Sequence, residues 1–108
     1  MVYSISEIKA RIAPVAQKYG LKAVYLFGSY ARNEATEHSD IDLIVDTTGT
    51  ALKSLFALGA LYCDLEEVFQ KEIDLITVSS LEQPAQMPHE GDFRKAVWGE
   101  KVELYAVA

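Results

Sequence analysis

The 108-residue sequence predicts an α/β fold: one small mixed sheet of three or four strands, with helices mainly on one face. Three observations carry this. Segments with helical periodicity alternate with short runs of strand character, half of the residues are apolar, and neither a repeat nor a low-complexity tract interrupts the pattern. Residues 1–108 read as one domain.

The elements follow in order. Ser4 and Glu7 have capping-box spacing, and Ile5, Ile8, Ile12, Val15 and Tyr19 recur at helical intervals until Gly20 ends the pattern. Pro14 is expected to kink this helix, because it lacks a backbone donor. Ala23 to Phe27 reads as a buried strand, and Gly28-Ser29 as a turn that opens a short helix. Ser39 to Asp46 reads as the second strand and Ile73 to Val78 as the third. Between them Leu52, Leu55, Phe56, Gly59, Tyr62, Cys63 and Phe69 give a long amphipathic helix over residues 52–69, with Cys63 expected as a small buried hydrophobe. Pro84 and Pro88 frame a loop, Phe93 to Trp98 predicts a short helix, and Val102 to Tyr105 a final strand. Trp98 and Tyr105 are expected to close the core, with His38 and His89 in surface loops.

Charge and composition exclude several function classes. Sixteen acidic side chains stand against ten basic ones, a net charge of -6, with no dense basic cluster to track a phosphate backbone. Direct nucleic-acid binding is therefore not expected. Cys63 is the one cysteine, which rules out an internal disulfide and a cysteine-based metal site and fits a reducing compartment. Met1 to Ala13 has no apolar signal core, and the longest apolar run, near Leu55 to Cys63, is too short to span a bilayer. The expectation is a cytoplasmic protein with no membrane partner.

The chemistry concentrates between Phe27 and Asp46, in the stretch FGSYARNEATEHSDIDLIVD. Side chains two apart on a strand share a face, so Asp40 and Asp42 point the same way while Ile41, Leu43 and Val45 point into the core. Two like charges placed side by side cost free energy unless a cation neutralises them. With oxygen ligands and neither cysteine nor histidine in the strand, that cation is Mg²⁺ or Mn²⁺. Asp74, between Ile73 and Leu75 in the third strand, completes a three-carboxylate cluster if the two strands pair. Such a cluster can hold two ions and support phosphoryl or nucleotidyl transfer. The Gly28-Ser29 turn would bring backbone donors and a hydroxyl to the same end of the sheet, and Arg32 can counter the charge of a triphosphate. Arg32 also has a purely structural alternative, an ion pair with Glu34 or Glu37.

Gly28-Ser29, Arg32, Ser39-Asp40, Asp42-Leu43 and the distal Asp74 resemble the signature of the polymerase-beta-type nucleotidyltransferases, in particular their minimal nucleotidyltransferase branch. The resemblance implies a single-domain enzyme that transfers AMP from ATP to a hydroxyl and serves as the antitoxin of a HEPN-type ribonuclease toxin, with which it forms a hetero-oligomer. On that pattern Gly28, Ser29 and Arg32 hold the triphosphate. Asp40, Asp42 and Asp74 are catalytic and bind two Mg²⁺ ions, with Mn²⁺ as a substitute, and Asp74 helps to deprotonate the acceptor. Asn33 departs from the pattern, which has glycine there, but asparagine tolerates a left-handed backbone.

A template-directed polymerase needs a basic channel, and a small-molecule nucleotidyltransferase needs a second lobe to enclose its acceptor. A protein acceptor brings its own surface, so the expected acceptor is a tyrosine or other hydroxyl side chain of a partner protein, which on the resemblance is the toxin. The alternative from another class is a non-catalytic antitoxin that neutralises its partner by binding and occlusion. A third reading, an RNA-end adenylyltransferase, requires a basic groove.

Overall fold

The computed structural model describes residues 2–50, 54–78 and 99–107. The expected Pro84–Pro88 loop, the Phe93–Trp98 helix, Leu52 and His89 lie outside them.

The first helix, α1 (Ile5–Tyr19), starts at Ser4, whose hydroxyl accepts the Glu7 N–H while the Glu7 carboxylate accepts the Ser4 N–H. A cap of this kind contributes about 1 kcal/mol. Gly20 ends the helix in a left-handed conformation. The helix continues through Pro14, which is exposed along with Ala10, whose carbonyl loses its helical donor to proline's missing N–H.

Strand β1 (Ala23–Phe27) runs into the one-turn α2 (Gly28–Ala31). Strand β2 (Ile41–Asp46) leads through α3 (Leu55–Phe69) to β3 (Ile73–Thr77), and β4 (Val102–Ala106) follows. The sheet order is β3-β2-β1-β4. Strand β1 is antiparallel to both neighbours, whereas β2 and β3 are parallel, as a helical crossover requires. The predicted mixed sheet is present.

Both long helices lie on one face. Ile8, Ile12, Val15 and Ala16 of α1 and Leu61, Leu65 and Phe69 of α3 pack in one cluster with Val24, Leu26, Ile41, Leu43, Val45 and Leu104 of the sheet. On the opposite face Phe27 and Ile44 form a smaller cluster with Tyr25, Ile76 and Val78.

Three expectations change. Strand β2 begins at Ile41, not Ser39, because Ser39 closes a turn: its hydroxyl accepts the Thr36 N–H at 2.8 Å and its own N–H reaches the Thr36 carbonyl. The buried stripe of α3 is Leu61, Leu65 and Phe69, which puts Phe56 at 94% exposure. From Leu55 to Cys63 that helix carries no charge, so the sequence there does not set which side faces inward; the lower half, with Asp64, Glu66 and Glu67, does. Cys63 follows the same rotation and is exposed rather than buried. Tyr105 is half-buried against the main cluster, and His38 is exposed. Among the described residues no helix is long and apolar enough to cross a membrane.

Candidate metal and nucleotide site

Pairing of β2 with β3 sets Asp42 directly beside Asp74. Register partners on adjacent strands point to the same face about 4.8 Å apart. Their neighbours Ile41 and Ile73 are buried under the helices, so both carboxylates occupy the opposite face, beside the Phe27–Ile44 cluster. Asp42 is half-buried and Asp74 exposed.

The crowding is visible in the proton affinity of Asp42. Burial first, then the Asp74 and Asp40 carboxylates, push its carboxyl from an ordinary 3.8 to about 6, with a hydrogen bond to Asp74 adding and the Arg32 charge opposing. Asp40 acts on this pair through its charge but lies before the strand and is exposed. Among the described residues no three acids form a ready-made cage for a metal ion. The pair Asp42–Asp74 is thus assembled by the sheet, and Asp40 flanks it.

Gly28 completes the geometry for two reasons. Its φ of +73° is a left-handed conformation that favours glycine. A Cβ at this position would also overlap the Asp42 Oδ2 atom and reach Cγ at 3.0 Å. The glycine therefore lets the Asp42 carboxylate rest against the backbone of the turn. Tyr30, 3% exposed, anchors α2 in the core, although its hydroxyl has no hydrogen-bond partner among the described residues. Ser29 is half-buried, and its carbonyl accepts the Glu34 N–H at 2.8 Å.

Arg32 leaves α2 on the surface and makes two ion pairs. Nε donates to Glu34 at 3.1 Å and Nη1 to Glu100 at 3.0 Å. The pairing with Glu34 is one that the sequence suggested; Glu37 takes no part in it. Asn33 has φ +59°, so asparagine does adopt the left-handed conformation expected of it.

These residues fit a divalent cation. The donors are all carboxylate oxygens, the set preferred by Mg²⁺ and Mn²⁺. A carboxyl raised to about 6 by burial and by its acidic neighbours would be relieved by positive charge at that point.

Glu100 and the contact of Gly28 with Asp42 are the features that sequence reasoning missed. Neither leaves a local signal: 68 residues separate Arg32 from Glu100, and the glycine meets a side chain on a different strand.

A family model described as "Polymerase beta, Nucleotidyltransferase" matches residues 10–90. The chain is 49% identical over 78 residues to a protein of Methanocaldococcus jannaschii, covering 72% of this chain and 82% of that one. It is 34% identical over 76 residues to "Protein adenylyltransferase MntA" of Thermococcus cleftensis, covering 70% and 75%. Two solved structures share the fold. One is a toxin-antitoxin crystal structure with AMP-PNP, with a TM-score of 0.69 at 22% identity, over 92% of this chain and 73% of that one. The other is a tri-AMPylated Shewanella oneidensis HEPN toxin in complex with an MNT antitoxin, with a TM-score of 0.65 at 20% identity, over 95% and 73%.

Proposed function

The chain belongs to the polymerase beta nucleotidyltransferase family, and we propose that it transfers AMP from ATP to a tyrosine hydroxyl of a partner HEPN-type ribonuclease toxin, acting as that toxin's antitoxin. The carrying observation is the Asp42–Asp74 pair, set side by side by parallel strands and resting against Gly28. The relative named as a protein adenylyltransferase and the fold shared with toxin-antitoxin complexes support the partner and the reaction. A net charge of -6 supports a protein acceptor over a nucleic acid.

In this reading Asp40, Asp42 and Asp74 hold one or two Mg²⁺ ions, and Mn²⁺ fits the same ligands. Such ions, when bound, offset phosphate charge and favour the deprotonated acceptor hydroxyl. Gly28 leaves the turn's backbone open to the triphosphate, and Ser29 donates its hydroxyl to a phosphate oxygen. Arg32 counters the negative charge that grows on the departing pyrophosphate. The acceptor oxygen attacks the α-phosphorus, the bond from that phosphorus to the bridging oxygen breaks, pyrophosphate leaves, and Asp74 takes the hydroxyl proton.

Co-expression with the partner toxin tests the whole reading by mass spectrometry. The expected result is an added mass matching AMP on the toxin with the unaltered chain and none with Asp42→Asn, while co-purification persists. Full neutralisation by Asp42→Asn, with no adduct in either case, would replace the enzyme by an occluding antitoxin.

A further inference from the structure

We propose that Glu100 sets the nucleotide affinity of the site by competing with the triphosphate for Arg32. This rests on the reading above in which Arg32 contacts the triphosphate, and it adds a residue from the far end of the chain to that site.

A guanidinium grips a phosphate best through two parallel N–H bonds, and it has two edges that can do so: Nε with Nη2, and Nη1 with Nη2. In this structure Glu34 takes Nε of the first edge and Glu100 takes Nη1 of the second. Each edge therefore has one nitrogen already bonded to a carboxylate, so a bidentate phosphate on either edge competes with a negative charge held at that nitrogen. Glu34 is two residues from Arg32 and remains near it whatever the side chain does. Glu100 is there because of the sheet: β4 pairs antiparallel with β1, Val102 stands opposite Leu26, and the residues before Val102 therefore reach past the end of β1 toward α2.

The competition is modest and tunable. The side chains of Arg32 and Glu100 are 44% and 37% exposed, where an ion pair is weakened by water and screened by salt. Removing it should shift binding by a small factor instead of switching it on or off. Glu100 is a positioning residue, acting through where it holds Arg32, so its effect belongs in nucleotide affinity and not in the rate of transfer once nucleotide is bound.

Titration calorimetry with Mg²⁺ and a non-hydrolysable ATP analogue provides the test. Glu100→Gln should tighten binding about 2–5-fold, the span expected for loss of one exposed ion pair, and the gain should shrink as salt is raised. Glu100→Asp, which keeps the charge, should stay closer to the unaltered chain. Glu103→Gln removes the same charge from β4, with no ion pair to Arg32 among the described residues, and should leave affinity unchanged. Unchanged or weaker binding in Glu100→Gln would overturn the proposal, as would equal tightening by Glu103→Gln, which would reduce it to a long-range field. An unaltered chain that fails to bind the analogue with Mg²⁺ would instead overturn the nucleotide-site reading itself.

Discussion

Successive residues of β2 live in opposite environments. Ile41, Leu43 and Val45 are at most 1% exposed beneath α1 and α3, in a cluster built from four strands and both helices. Asp42, between two of them, shares the other face with Phe27 and Ile44, and its carboxyl is raised to about 6 by burial and by like charges. One face of the strand supplies stability, and the other holds a local electrostatic conflict. The difference teaches that the site draws its rigidity from residues that never touch it.

The sharpest test of that division is Asp42→Asn. The amide keeps the side-chain shape and removes a charge, so AMP transfer should fall at least about 10²–10³-fold, as when one charge-stabilising group is taken from an active site. The thermal unfolding midpoint at neutral pH should not fall. A loss of fold in this variant would break the comparison, because the two faces would then not be separable.

Leu43→Ala probes the other side of the same strand. It empties a fully buried position and should cost about 2–5 kcal/mol in urea unfolding. Where the variant is still folded, Mg²⁺ affinity should stay within a few-fold of the unaltered chain.

Gly28→Ala couples the faces. The new Cβ must enter a left-handed backbone and overlap the Asp42 carboxylate, so a loss of about 1–3 kcal/mol is expected together with weakened Mg²⁺ binding. Calorimetry showing unaltered Mg²⁺ affinity would mean that the Asp42 carboxylate does not need its position against the turn.

The smallest effect is a pH dependence with an unusual sign. For Asp42 the folded state holds its proton more tightly than the unfolded chain does, between an ordinary 3.8 and about 6. The folded state therefore carries more protons in that window, and this group's contribution to stability falls as pH rises through it. Its unfavourable contribution is complete above about 6 and absent below about 4. In chelator, Asp42→Asn should melt slightly higher than the unaltered chain at pH 7.5, and the difference should vanish near pH 4. Mg²⁺ affinity should rise with pH up to about 6 and then level, since binding expels that proton. A melting difference that is the same at both pH values would remove the electrostatic conflict from Asp42.

Much of this was legible in the sequence because it is local. The capping box of α1, the left-handed Gly20, the alternation of Ile41, Asp42 and Leu43, and the tolerance of Asn33 for positive φ all depend on a few adjacent residues. Where local signals were uniform they failed. The uncharged first half of α3 does not reveal its buried side, so its helical spacing points Phe56 and Cys63 inward whereas both lie outward.

Chain-local chemistry thus determined which segments become strands and helices, and which acidic, glycine and serine residues are candidates for a nucleotide site. Tertiary structure alone decided three things: that Asp74 falls in register with Asp42, that Gly28 accommodates the Asp42 carboxylate, and that Glu100 reaches Arg32. Each depends on strand order and register. Those are set by how the whole apolar surface is buried, a sum over residues far apart in the chain that no short window of sequence contains.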